Sequence, residues 1–264
     1  MRSAPPATDP FGCCAGEARQ PSFFRRCADL VYPPKCISCH ALLETPGAFC
    51  PACCRAFREH LALQCPTCLL PFSQCRCAGP FLRRHGISHL YKAFAYLPHK
   101  QNDPSNRLLY TLKSEHNHYA DDCAVRAFLA LIKQHRIDPN GLSVAYIPAS
   151  YQRVLTRGSD PMRRIARLLA TACGATLISP LCRKGIRSAP QKSLSREERC
   201  ENAFQVYDVK KHTALLGKRI LLLDDISTTG ATLAAATAAL RRAGAGRVIC
   251  MTLAATVEYS QTTS

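Results

Sequence analysis

Two acidic residues stand side by side at Asp224-Asp225 and are followed, after Ile226-Ser227, by Thr228-Thr229-Gly230-Ala231-Thr232. The second group is small, rich in hydroxyls and contains a glycine. Such a turn can aim successive backbone N–H groups and the three threonine hydroxyls at one anion, a phosphate above all. Gly230 lets the backbone come close to it. The two carboxylates lie one step back, where they can accept hydrogen bonds from the paired hydroxyls of a ribose. The chemistry of the stretch is therefore that of a phosphate beside a ribose. The plain alternative is an ordinary strand-turn-helix with an acidic turn.

The elements around these residues suit that chemistry. Ile220-Leu221-Leu222-Leu223 is a short apolar run and reads as a buried parallel strand. An Ala/Leu-rich helix follows and ends near Gly244. Its N-terminus adds positive potential at the turn. In open α/β sheets, ligands bind at the carboxyl ends of the strands, where this turn falls. The whole stretch resembles the phosphoribosyl pyrophosphate (PRPP) motif of type I phosphoribosyltransferases: an apolar strand, two acidic residues, two further residues and T-T-G-x-T. Ser227 departs from it, standing where the motif has an apolar residue.

A second chemistry is carried by cysteine. The chain has 17 cysteines, an odd number that cannot all pair. Cys36-x2-Cys39 with Cys50-x2-Cys53 forms one set, and Cys65-x2-Cys68 with Cys75-x-Cys77 the next. Zinc takes four ligands in a tetrahedron, and two thiolates on one tight turn supply half of them. The spacing predicts a tandem zinc ribbon, with disulfides or a redox dithiol as the alternatives. Four thiolates close the coordination shell, so the role expected is structural. This segment carries few apolar side chains, and metal is expected to supply the stability that burial cannot. Cys13 and Cys14 are expected to be incidental.

Composition bounds the rest. Lys+Arg 35 against Asp+Glu 18 gives a formal charge of +17, which favours polyanionic partners such as nucleic acid or pyrophosphate esters. Dispersed surface charge that aids solubility is the alternative. No apolar run approaches the roughly 20 residues of a membrane span. With no secretory h-region visible, a cytoplasmic location is expected.

Beyond Pro80 strand and helix patterns alternate. Strands are expected at His89–Leu97, Ser143–Ile147, Ala175–Ile178 and Val248–Leu253. Helices are expected at Asn106–Lys113, Ala120–Gln134 and Pro161–Cys173, with a short one at Ser22–Tyr32. Ala149–Asp160 reads as a loop. Alternation of this kind predicts an α/β fold with a parallel sheet. The domains expected are a lead-in over 1–26, the double ribbon over 27–80 and an α/β domain over 86–264.

The order of these parts is similar to the ComF/GntX family, in which a double zinc ribbon precedes a type I phosphoribosyltransferase domain. Pro33-Pro34-x-Cys36-x2-Cys39, Leu112-Lys113, Ala189–Arg196, Glu198-Arg199, Ala203-Phe204 and Leu223–Thr232 carry the resemblance. It implies that PRPP or a nucleotide binds at Asp224, Asp225, Thr228, Thr229, Gly230, Ala231 and Thr232. Lys113, Arg157 and Gly158 are implied for the pyrophosphate end, with Mg²⁺ accompanying PRPP. The basic segment 183–204 is implied to be a mobile hood, with Gln191, Lys192 and Arg196 as its contacts. The eight cysteines are implied as ligands of two Zn²⁺ ions. Single-stranded DNA and proteins of the competence machinery are the partners implied. The family's Arg-Gly-Phe-Asn-Gln loop is here Arg157-Gly158-Ser159-Asp160, which sets a negative charge where a polyanion would lie. Two functions are compatible with the sequence: a phosphoribosyltransferase of unspecified acceptor, and a non-catalytic nucleic-acid-binding adapter of DNA uptake.

Overall fold

The structure, a computed structural model, describes Phe11, Cys13 and residues 33–114, 116–183, 206–211 and 213–256. The expected helix at 22–32 and hood contacts Gln191, Lys192 and Arg196 lie outside the described residues, as does the lead-in apart from Phe11 and Cys13.

Among the described residues, the first helices are α1 (Pro51–Leu61) and the single turn α2 (Pro80–Arg84). Each has a proline at its start, where the missing N–H costs nothing. Then come β1 (Leu90–Tyr96), α3 (Pro104–Ser114) and α4 (His118–Gln134). Asn117 caps α4 by accepting from the amides of Tyr119 and Ala120. Next are β2 (Leu142–Tyr146), α5 (Tyr151–Arg157), α6 (Pro161–Cys173) and β3 (Thr176–Leu177). The chain continues through β4 (Leu181–Arg183), β5 (Tyr207–Val209), β6 (Arg219–Ser227), α7 (Ala231–Arg242) and β7 (Val248–Thr256).

The main sheet has five strands in the order β1-β7-β6-β2-β3, and β4 with β5 forms a separate antiparallel pair. The expected parallel α/β architecture is present. Strand β2 runs parallel to both β3 and β6. Its register sets Tyr146 against Leu223, and the Ile147 amide extends the ladder to the Leu223 carbonyl at 2.9 Å. That register brings the loop Pro148–Ser150 after β2 and the acidic pair late in β6 out at one edge.

Two expectations are corrected here. Ala149–Asp160 is not all loop, because Ser150 caps a short helix by accepting from the Arg153 amide at 3.4 Å. Gly158, at φ 71°, ends that helix in the left-handed conformation that glycine adopts at least cost. The cysteine-rich segment also has more of a core than expected. Phe49 and Phe57 are fully buried, with ring centroids 5.0 Å apart, and Phe57 meets Phe94 edge-on at 5.9 Å. Phe11 joins the same cluster at 6.4 Å from Phe57.

The chain forms two compact units. The first comprises Met1–Cys75, Ala93–His135 and Leu253–Ser264. Its core combines the phenylalanine cluster with Leu108, Leu109, Phe128 and Leu131, all fully buried. A disulfide joins Cys13 to Cys123, and the Cys13 carbonyl accepts from the amides of Ala48 and Phe49. Cys13 is therefore a structural residue and not the incidental one expected. His60, also buried, is held by the Ala95 carbonyl at 2.7 Å and by Asp103 at 3.1 Å.

The second unit comprises Arg76–Lys92 and Arg136–Thr252. Ile220 through Leu223 are fully buried, as the apolar run predicts. Leu142 and Val144 of β2, Ile165 and Leu169 of α6, and Leu233 and Leu240 of α7 share this core. No helix of the described residues is long and apolar enough to cross a membrane.

Candidate phosphate-ribose site and thiolate clusters

The backbone of β6 stays extended to Ser227, turns through Thr228–Gly230 and enters α7 at Ala231. Gly230 is the N-cap at φ 84° and offers no side chain to the first amides of the helix. Those amides, with the helix dipole behind them, face the space before the turn. The Thr229 hydroxyl accepts from the Ala231 amide at 3.3 Å and tightens the loop.

The acidic pair is fixed by its own backbone. The Asp225 amide donates to Asp224 Oδ1 at 3.0 Å, and the Ile226 amide donates to Asp225 Oδ1 at 2.6 Å. Asp224 is buried and Asp225 half-buried. Asp224, Ser227, Thr228, Thr229, Gly230, Ala231 and Thr232 line one concavity of about 30 Å³. Asp225 lies beside it and is not among the lining residues. A pocket that encloses a whole small-molecule ligand takes roughly 300 Å³ or more. A concavity of about 30 Å³ has room for one small group. A larger, open concavity of about 480 Å³ lies along His99–Asp103. One continuous run of loop lines it, without a paired carboxylate or an anion-binding turn, so volume alone does not make it the site.

One group that the sequence did not single out, Tyr207, feels the charges of the acidic pair. Tyr207 of β5 is buried, and burial pushes its hydroxyl up from the usual phenol range. The guanidinium groups of Arg183 and Arg153 oppose that rise, whereas the charges of Asp224 and Asp225 add to it. The Arg183 guanidinium donates to the Tyr207 hydroxyl at 3.3 Å and stands 5.3 Å over its ring. One buried phenol thus feels the fields of two cations and two carboxylates, with Arg183 in direct contact. No local spacing signals this, because Arg153, Arg183 and Tyr207 belong to three separate elements.

Asp160 has a structural use. Its Oδ1 accepts from the amides of Met162 and Arg163, and its Oδ2 accepts from Ala149. It caps α6 and ties that helix to the loop leaving β2. Its charge is thus spread over three backbone donors. Gly158 closes α5, with the Arg157 backbone just before it. Lys113 lies half-buried in the last turn of α3, in the first unit.

The cysteines gather as their spacing predicts. The four sulfurs of Cys36, Cys39, Cys50 and Cys53 lie within 4.8 Å of one another, and so do those of Cys65, Cys68, Cys75 and Cys77. A tetrahedron with Zn–S bonds of about 2.3 Å has edges near 3.8 Å. The Cys39–Cys50 sulfur distance is 3.7 Å. Both clusters fit zinc, and neither offers an oxygen or nitrogen ligand that would suit a harder ion. The two knuckles repeat each other. Cys36 and Cys65 each donate to a carbonyl five residues on, at 2.8 and 2.9 Å, and each accepts from the amide four residues on, at 2.8 Å. His40 and Leu69 occupy matching left-handed positions, at φ 61° and 59°. Burial disfavours the thiolate of Cys50, but the Cys53 amide and the neighbouring thiols outweigh it and bring Cys50 down to about 7. Cys65 is likewise brought to about 7 against burial, by the amides of Cys68 and Thr67 and by its neighbouring thiols. Each cluster thus holds one thiol ready to ionise near neutrality, as metal uptake requires.

Residues 154–261 match the model of the phosphoribosyl transferase domain family. The match takes in β6, the turn and α7. None of the curated proteins compared matches the chain.

Proposed function

We propose that this protein binds PRPP or a nucleotide, with the 5′-phosphate on Thr228–Thr232 and the ribose hydroxyls on Asp224 and Asp225. One observation carries the reading: a threonine-lined helix N-terminus with no side-chain cap follows a buried Asp224 and a half-buried Asp225, inside the segment that matches a phosphoribosyl transferase domain. The phosphate is held by backbone amides and hydroxyls, which need no counter-charge to be fixed in place. The ribose is oriented by carboxylates already turned by their own backbone amides. Arg183 and Arg153, whose charges act on the same Tyr207 as those of the acidic pair, are suited to the pyrophosphate end. Lys113, Arg157 and Gly158 are weaker contributors there, and Gln191, Lys192 and Arg196 belong to the segment proposed to close over the ligand.

Transfer would break the bond between the anomeric carbon and pyrophosphate and form one to an acceptor base or amine. The charge arising on pyrophosphate would be neutralised by Mg²⁺ carried with PRPP and by the arginines. Incubation with PRPP and Mg²⁺ should release pyrophosphate in the presence of one acceptor class among bases, amines and nucleosides. PRPP binding without release across all of them would reject transfer and leave binding standing.

The charge of +17 favours a second reading, in which a ComF-like cytoplasmic protein handles single-stranded DNA for the competence machinery and catalyses nothing. Its affinity for single-stranded DNA should then fall steeply with salt, because binding releases counterions. Affinity that does not respond to salt would contradict that reading.

A further inference from the structure

The phosphate turn has a partner that its own motif does not contain. A Cβ built on Gly230 would stand 2.4 Å from Leu82 Cγ, 2.7 Å from Cδ2 and 2.9 Å from Cδ1. The head of the Leu82 side chain therefore occupies the place where any other residue at 230 would carry its side chain. Leu82 is 1% exposed, although it sits on α2, a helix of five residues. Gly230 is itself buried.

Helix α2 is fastened to α7 at a second point. Arg241, in the last turn of α7, donates from Nη2 to the Gly86 carbonyl at 3.0 Å and from Nη1 to the His85 carbonyl at 3.5 Å. Gly86 leaves room for that guanidinium, for a Cβ there would meet Arg241 Nη1 at 3.0 Å. The turn of α2 is also closed on itself, since the Ile87 amide donates to the Leu82 carbonyl at 3.0 Å. Its Leu82 thus bears on the N-cap of α7 from an element anchored near the other end of that helix.

We infer that Leu82 is a positioning residue for the phosphate turn, acting through Gly230 to hold the α7 N-terminus in its phosphate-receiving conformation. The inference rests on the phosphate-ribose reading above. Gly230 at φ 84° has no side chain to restrict its own torsions, so its conformation must be held from outside. A packed isobutyl head does this by contact, because a close-packed interior transmits small displacements instead of absorbing them. Leu82 does not touch the ligand. Its effect belongs to the group seated on the turn, the 5′-phosphate, and not to the pyrophosphate end.

The test is calorimetric titration of the full-length, zinc-loaded protein with ribose 5-phosphate and, separately, with pyrophosphate. Leu82→Val shortens the head by one methylene and Leu82→Ala removes it. Leu82→Met keeps its bulk. The expected result is a graded loss of ribose 5-phosphate affinity, about tenfold or more for Leu82→Ala, near recovery in Leu82→Met, and pyrophosphate affinity within about twofold of wild type throughout. Should Leu82→Ala not fold, the Val and Met pair carries the same comparison. Wild-type affinity for ribose 5-phosphate in Leu82→Val and Leu82→Ala would overturn the inference alone. Equal weakening of both ligands would overturn it too, as the mark of a purely structural residue. A wild-type protein that fails to bind ribose 5-phosphate would overturn the phosphate-ribose reading first and the inference with it.

Discussion

Asp160 and Asp103 show how single carboxylates are used in this chain. Asp160 accepts three backbone amides, and a capping side chain of this kind contributes about 1–2 kcal/mol. Asp160→Ala should lower the melting temperature accordingly, whereas Asp160→Asn, which keeps the Oδ1 cap of the helix but loses the acceptor for the Ala149 amide, should fall between Asp160→Ala and wild type. A thermal melt in which the two variants lose equally would contradict this use of the side chain. Burial acts to raise the Asp103 pKa, but the hydrogen bonds from His60 and Ser105 and the charge of His60 outweigh it and hold the carboxyl below its usual value. The sign follows from that direction. A group depressed in the folded state stabilises above its unfolded pKa, about 4, and the contribution is lost as pH falls through the lower folded value. Asp103→Asn should therefore be less stable than wild type at neutral pH and converge with it in acid. A constant difference between the two melts from pH 7 to pH 2 would contradict it. At this scale the sequence was informative where chemistry is local. Asp224, Thr228 and Gly230 come together because they are neighbours in the chain. Tyr207, Arg183, Arg153 and Leu82 reach the same region only through folding, and no spacing announces them.

The thiolate knuckles are legible as elements because zinc demands ligands at short, regular separations. The matching left-handed residues His40 and Leu69 are not, since neither is a glycine or an asparagine. Both clusters should carry metal, giving about two zinc ions per chain by elemental analysis and about one after Cys50→Ser. Retention of both ions by that variant would show that Cys50 is not a ligand. Helix α1 was missed because it starts inside a cysteine motif, at Pro51 directly after Cys50. Helix α5 was missed because its exposed Tyr151 and Leu155 give it no buried apolar stripe to read. The longer elements were legible for the opposite reason. Strand β6 and helices α4 and α6 bury faces whose periods are visible in the residues themselves.

At the scale of the whole molecule, the disulfide between Cys13 and Cys123 joins two segments of the first unit and closes a long loop. Closing a loop of that length removes several kcal/mol of unfolded-state entropy, about 4–5 in the simplest chain model. Cys123→Ala should therefore lower the melting temperature of the zinc-loaded protein under non-reducing conditions and leave both metal clusters filled. An unchanged melt would show that the bond adds nothing. The site in the second unit asks for a more direct test. Titration of the wild type and of Asp225→Asn with PRPP in the presence of Mg²⁺ should give saturable binding in the wild type and affinity at least about tenfold weaker in the variant, the loss expected for a charged hydrogen-bond acceptor. Equal binding by the two proteins, or no binding by the wild type, would contradict the assignment of Asp224–Thr232 as a phosphate-ribose site.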